Sequence, residues 1–158
     1  MLTQELVNDL LIYKDGELFR KRLYHKSAVN KPLGTSAHGY LQFSINSKAF
    51  MVHRVIYLMH HGYLPKYVDH IDRNTLNNKI ENLRECTKSQ NSHNQTLRAK
   101  NKSGIKGVYW NKDNKRWHAQ IGINRKRKHV GFFKTVEEAR HAMVEARIKY
   151  HGEFANHC

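Results

Sequence analysis

The side chains with the greatest chemical reach fall in one stretch: Val68-Asp69-His70-Ile71-Asp72, then Asn77-Asn78-Lys79-Ile80-Glu81-Asn82-Leu83-Arg84, then Gln90-Asn91-Ser92-His93-Asn94. An imidazole titrates near ambient pH, so His70 can take a proton from water. Asp69 lies on the opposite side of an extended chain and can aim a carboxylate at a cation, while Asn91 can add a neutral amide oxygen from a helix. Two oxygen ligands leave positions open for phosphate and water. That suits a hard ion, Mg²⁺ or another divalent cation such as Mn²⁺. The reaction such a set performs is phosphodiester hydrolysis, in which water becomes the nucleophile and a cation takes up charge on the phosphoryl and leaving oxygens. An Asx-type turn at a strand end also accounts for Asp72-Arg73-Asn74, but it gives no reason for Asn82 and Asn91 at their distances.

The stretch resembles the HNH nuclease family, whose pattern is an Asp-His pair closing a strand, an Asn about twelve residues on, and an Asn or His a further nine on. Here those positions are His70, Asn82 and Asn91. The resemblance covers roughly residues 11–97 and implies a ββα finger around one divalent metal. It implies His70 as general base, Asp69 and Asn91 as metal ligands, and Asn82 as a structural residue that ties the loop beside His70 and fixes the orientation of its ring. Such support typically matters tenfold or more. His93 or Asn94 replaces Asn91 as ligand if the helix starts later than its cap suggests.

The elements that must position these groups are legible on either side. Residues 11–50 alternate short apolar runs with turn signals, Leu11-Ile12-Tyr13 before Lys14-Asp15-Gly16, and Tyr40 to Ile45 before Asn46-Ser47. This predicts hairpins of a half-buried antiparallel sheet. Val52, Val55, Ile56 and Met59 then fall at i, i+3, i+4 and i+7, with Gly62 as the stop, which predicts an amphipathic helix. Its other face carries His53, Arg54, Tyr57, His60 and His61. Adjacent helical residues point about 100° apart and cannot chelate together, so these histidines are read as solvated or phosphate-facing. Thr87-Lys88-Ser89-Gln90 fits a capping box, placing a helix from Lys88 toward Arg98 with Asn91, Asn94 or Gln95, and Arg98 on one face and His93 turned away.

A polar, basic linker at 98–103 separates this nuclease-like region, residues 1–97, from a second domain at 104–158. Three strand-like runs follow, Ile105–Asn111, Arg116–Ile123 and His129–Phe133, then a second capping box, Thr135-Val136-Glu137-Glu138, and a helix marked by Ala139, Ala142, Met143, Ala146 and Tyr150. Gly107-Val108, Arg116-Trp117, Ala119-Gln120-Ile121, Val130-Gly131, Phe133 and Glu137-Glu138-Ala139 resemble the APETALA-type domain of plant ethylene-response factors. That resemblance implies a three-stranded sheet lying in a DNA major groove and backed by the helix. Alternation places Trp117, Ala119, Ile121 and Ile123 inward and Arg116, His118, Gln120 and Gly122 outward. Arg116 and Gln120 are suited to reading base edges, the turn Arg125-Lys126-Arg127-Lys128 to holding phosphates, and Lys106, Tyr109, Asn111 and His118 complete the expected contact set. Trp110 is read as packed in the core. His129 stands where the plant domains carry an outward tryptophan, and several of their arginines are missing, so plant-like target sequences do not follow.

Composition agrees with a polyanion partner. The net charge is +15, and residues 98–134 alone hold twelve Lys/Arg against one Asp. So much like charge on a compact body repels itself unless a polyanion is present. A merely solvated, ribosomal-protein-like surface is the plainer reading. The two cysteines, Cys86 and Cys158, build neither a disulfide framework nor a Cys-rich zinc site, and no run spans a membrane. A cytoplasmic location follows, in the host of a phage that encodes the chain.

The expectation is therefore an α+β chain acting as a metal-dependent endonuclease on double-stranded DNA, of a homing or free-standing phage type. The alternatives are a non-catalytic, sequence-specific DNA-binding regulator with a degenerate finger, and a basic RNA-binding accessory protein. With no heptad seam or dimer face in view, a monomer that nicks one strand is favoured over a dimer that cuts both.

Overall fold

The computed structural model describes residues 2–21, 31–94, 101–123 and 126–155, with His93 by its backbone alone. The fold is α+β as expected, four small antiparallel sheets with four helices among the described residues. It divides into two compact units, residues 1–86 and 87–158. The linker expected at 98–103 lies past this division, and residues 95–100, with Gln95 and Arg98, fall outside the described residues. The helix after Thr87 counts with the second unit, where Lys106 Nζ donates to the Ser92 carbonyl at 2.8 Å.

In the first unit α1 (Gln4–Leu10) is capped by Thr3 and leads into a hairpin of β1 (Leu11–Lys14) and β2 (Glu17–Arg20). Gly16, in the turn, has φ +88° and lies so close to the Asn78–Lys79 backbone that a Cβ there would meet Lys79 N at 2.9 Å. Only glycine combines that backbone angle with that approach. Next come β3 (Thr35–Ala37), β4 (Tyr40–Ile45) and β5 (Lys48–Met51), a three-stranded meander whose second turn uses Asn46 and Ser47, both with positive φ. The predicted helix is α2 (Val52–His61), with its C-cap at Gly62. Its apolar side packs with Val7, Leu11, Leu18, Phe43 and Ile45 into the core. The last pair, β6 (Tyr67–His70) and β7 (Leu83–Cys86), puts His70 opposite Leu83 and Asp69 opposite Arg84.

The polar face of α2 departs from its solvated reading. His53 is only 6% exposed and Tyr57 is buried, because residues of the meander and of β6 cover this side of the helix as well. Arg54 donates to the carbonyls of Pro65, at 2.9 Å, and Lys66, at 3.1 Å, and so fastens the segment that leads into β6.

In the second unit α3 (Lys88–Asn94) begins at the expected capping box: the Thr87 amide donates to Gln90 Oε1 at 2.7 Å, and the Gln90 amide to Thr87 Oγ1 at 3.2 Å. Three strands, β8 (Val108–Asn111), β9 (Arg116–Ile123) and β10 (Lys126–Phe133), form a meander backed by α4 (Val136–His151), whose capping box at Thr135 and Glu138 is complete. Ala119, Ile121, Ala139, Met143 and Ala146 make the core between them.

Three expectations shift here. Ile105 to Gly107 form a turn rather than strand: Gly107 has φ +85°, outside strand geometry, and a Cβ there would meet the Gln120 carbonyl at 2.3 Å. Lys126 to Lys128 belong to β10 and pair with Ile123, Gly122 and Ile121, so they are strand residues rather than a turn. Trp110 is 47% exposed: it lies on the helix side of the sheet but at its edge, set edge-on against Trp117.

Candidate functional site

His70 ends β6, 4% exposed, with its Nε2 3.0 Å from Asn78 Oδ1. The His53 ring lies edge-on at 5.0 Å and Tyr40 at 6.1 Å, so imidazole, imidazole and phenol form one aromatic wall. His53 Nδ1 is buried with no hydrogen-bond partner among the described residues. Burial, followed by the nearby charges of His70 and Arg54, pushes the His53 pKa down to about 3, so it is a neutral neighbour at physiological pH.

The chain between β6 and β7 is knitted by short amide bonds. Asp72 Oδ1 accepts from the Asn74 amide at 2.8 Å, which is the Asx turn the sequence suggested. Asn82 Oδ1 accepts from the Asp72 amide at 2.9 Å, and its Nδ2 donates to Asp72 Oδ1 and to the Asn77 carbonyl, both at 2.8 Å. The Ile71 amide donates to the Asn82 carbonyl at 2.9 Å. Burial raises the Asp72 pKa, but bonds from Asn77, the Asn74 amide and Asn82 outweigh it and the net shift is downward. Asn82 thus holds the loop on both sides of its span. The His70 ring shares a hydrogen bond, however, with Asn78, which the sequence reading passed over. Its only signal was its place among several nearby asparagines.

Asp69 is buried, and its Oδ2 receives Arg84 Nε at 3.0 Å and Arg84 Nη2 at 2.9 Å, as their cross-strand register allows. Among the described residues no group of three or more His, Cys, Asp or Glu could form a closed metal cage. A hard divalent ion does not need a closed cage: it keeps several waters and is commonly bound through one or two carboxylates plus substrate oxygens, and Asp69 is a carboxylate of that kind. Asn91 lies half-buried on α3, its amide bonded to the Thr87 carbonyl at 3.0 Å. Asn94, the alternative ligand, is buried there too. The His93 side chain lies outside what the structure describes.

Residues directly opposite across a sheet share a face, and the registers of β8, β9 and β10 sort the second unit's side chains accordingly. Tyr109, Asn111, Arg116, His118, Gln120, Arg127, His129 and Phe132 share the side away from α4. On it Tyr109 Oη bonds His118 Nδ1, His118 Nε2 lies 2.8 Å from His129 Nδ1, and Phe132 stacks on His118 at 4.7 Å. Burial, and then the charge of His129, lowers the His118 pKa. Asn111 Oδ1 is taken by the Asn114 amide at 2.8 Å. Lys126 and Lys128 share the helix side, contrary to the expected phosphate-holding turn: Lys128 Nζ donates to Tyr150 Oη at 2.8 Å. Lys106 reaches Ser92 instead. Arg127 alone of these three residues of β10 faces outward, and Arg125 lies outside the described residues.

Two families of known proteins match segments of the chain. Residues 50–93 match the family described as HNH endonuclease, and residues 103–153 match the AP2 domain. The chain is 34% identical to Protein 3.8 of Escherichia phage T7 over 96 residues, covering 60% of this chain and 78% of that protein. It is 39% identical over 93 residues to an uncharacterized HNH endonuclease of Acanthamoeba polyphaga mimivirus, covering 53% of this chain and 26% of that protein. A second mimivirus protein described in the same words is 47% identical over 60 residues, covering 36% of this chain and 32% of its own length. No solved structure matched the chain. No helix among the described residues is long and apolar enough to cross a membrane.

Proposed function

The chain belongs to the HNH endonuclease family, and we propose that it is a divalent-metal-dependent enzyme that hydrolyses phosphodiester bonds in double-stranded DNA, of the homing or free-standing phage type. The observation that carries this reading is His70: a buried imidazole, held by a hydrogen bond at the end of the strand that also carries Asp69. In it His70 takes the proton from the attacking water. Asp69 holds the cation, Mg²⁺ or Mn²⁺, and the motif adds Asn91 as the second ligand. When bound, the metal supplies charge stabilisation at the scissile phosphate and leaving oxygen. Asn82 keeps the loop in shape, and the outward sheet face with Arg116, Gln120 and Arg127 grips the duplex. One finger acts on one strand, so a monomer nicks.

The test is supercoiled plasmid incubated with the full chain and Mg²⁺. Conversion to open circle by the wild type, silenced by EDTA and absent from His70→Ala, supports the reading. Metal-independent cutting by a pure preparation overturns it. The ion pair between Arg84 and Asp69 favours the second reading, a DNA-binding regulator whose finger no longer takes metal. That reading requires duplex binding with no cleavage at any concentration of Mg²⁺ or Mn²⁺.

A further inference from the structure

We infer that Asn78 is the positioning residue that selects which nitrogen of His70 takes the proton from water, committing Nε2 to a hydrogen bond and assigning the base role to Nδ1. The inference rests on the reading above, in which His70 is the general base.

The bond in question joins two of the more deeply buried polar side chains in the unit: His70 Nε2 lies 3.0 Å from Asn78 Oδ1, and Asn78 is 2% exposed. Its direction follows from the other end of the amide. Asn78 Nδ2 points to the Leu76 carbonyl at 3.4 Å. A carbonyl oxygen can only accept, so the donor end of the amide belongs there and Oδ1 faces the ring. An amide oxygen can likewise only accept, so Nε2 carries the hydrogen. In a neutral imidazole one nitrogen donates and the other accepts, and the proton-accepting lone pair then belongs to Nδ1.

The same set of bonds explains how Asn82 can matter to a ring it does not touch. Asn82 Nδ2 is bonded to the Asn77 carbonyl and the Asn82 amide to the Lys79 carbonyl at 2.9 Å, so it grips the chain on both sides of Asn78. From the first hairpin Gly16 presses on the Asn78–Lys79 backbone, and Asp15 pairs with Lys79 at 2.8 Å. Asn78 is thus a short, buried side chain on a segment braced from two directions. A neutral amide is also the suitable acceptor for a base. It orients the ring without the negative charge that would hold the imidazolium and keep the proton from leaving.

The test reads the His70 ring in the full-length, metal-free chain by ¹⁵N-resolved NMR, beside single-turnover cleavage with Mg²⁺. Expected in the wild type is an Nε2-protonated ring whose Nε2 proton exchanges slowly with solvent. Asn78→Leu, which removes the acceptor, should lose that slow proton and mix the tautomers. Its cleavage rate should fall roughly tenfold or more, with duplex affinity unchanged. Asn78→Asp, which keeps the acceptor, should keep the slow Nε2 proton. A wild-type ring protonated on Nδ1 overturns the inference, as does a folded Asn78→Leu with unchanged tautomer and rate. If Asn78→Leu does not fold, wild type and Asn78→Asp decide it, and loss of the slow Nε2 proton in Asn78→Asp counts against it. Failure of the underlying reading is separately visible: His70→Ala would then cleave as fast as wild type whatever the ring shows.

Discussion

In the first unit the side chains set up for chemistry, Asp69, His70, Asn78 and Asn82, are all buried, whereas the second unit holds Arg116, Arg127, His129 and Phe132 in the open on one sheet face. The two settings impose different rules. A buried polar group without a partner loses about 1–3 kcal/mol, and each of these four side chains is matched, Asp69 by Arg84, His70 by Asn78, and Asn82 by the loop it spans. An exposed face trades that restraint for access, and its charges act through solvent and salt. Substitutions in the first unit should therefore alter rate and stability, and those on the second unit's sheet should alter affinity.

The largest effect should come from His70→Ala. Loss of the base is expected to slow single-turnover cleavage by roughly 10²–10⁴ while duplex affinity stays nearly constant. A parallel loss of binding, measured by fluorescence anisotropy, would break the comparison.

Asp69→Asn comes next, because it strips the partly buried Arg84 of its carboxylate. Removing one partner of a buried pair typically costs about 3–5 kcal/mol, which urea unfolding would register. The same variant should need more metal for cleavage. Asn82→Ala, which loses loop bonds worth about 1 kcal/mol each, should lower rate and stability while moving the metal requirement less.

His53 gives the comparison a pH axis. Its folded pKa near 3 lies below the ordinary 6.5, so folding favours the neutral ring. Above about pH 6.5 both states are neutral and there is no effect. As pH falls from 6.5 toward 3 the unfolded chain takes up a proton that the folded chain refuses, and the folding equilibrium should weaken by up to about tenfold per pH unit. Urea midpoints of wild type and His53→Gln at pH 7 and pH 4.5 should converge as the pH falls.

The smallest effect belongs to the exposed face. Arg127→Ala should weaken binding to all duplex sequences and reduce the salt slope by about 0.9 for the phosphate it neutralises. Lys128→Ala, whose side chain is turned to Tyr150, should change the slope less. Equal slopes for the two variants would mean that sheet register does not decide which charges meet DNA.

What could be read from the sequence was whatever is decided locally. Both capping boxes, at Thr87 and Thr135, form with the partners their spacing predicts, and the alternation along Arg116–Ile123 sorts inward from outward residues correctly. What failed depends on neighbours distant in sequence. His53 looked solvated because its own helix face is polar, but the surrounding elements cover it. Trp110 looked like core because it is large, but it lies on an edge strand. Lys126 to Lys128 looked like a turn because they are charged, although pairing with β9 makes them strand. In the candidate site the motif pointed to His70 and Asn82. It could not distinguish Asn78 from its neighbours, because only the folded loop decides which amide meets the ring.

The close approach of Gly16 to the Asn78–Lys79 backbone also bears on when the site comes into being. These positions are about sixty residues apart, and contacts of such long sequence separation carry the cost of closing the intervening loop. A ribosome completes the first hairpin well before the loop that leans on it. The ring of His70 is therefore braced only after the two have met. Until then a growing chain carries the loop without its brace, so the ordered ring arrives only with the finished unit.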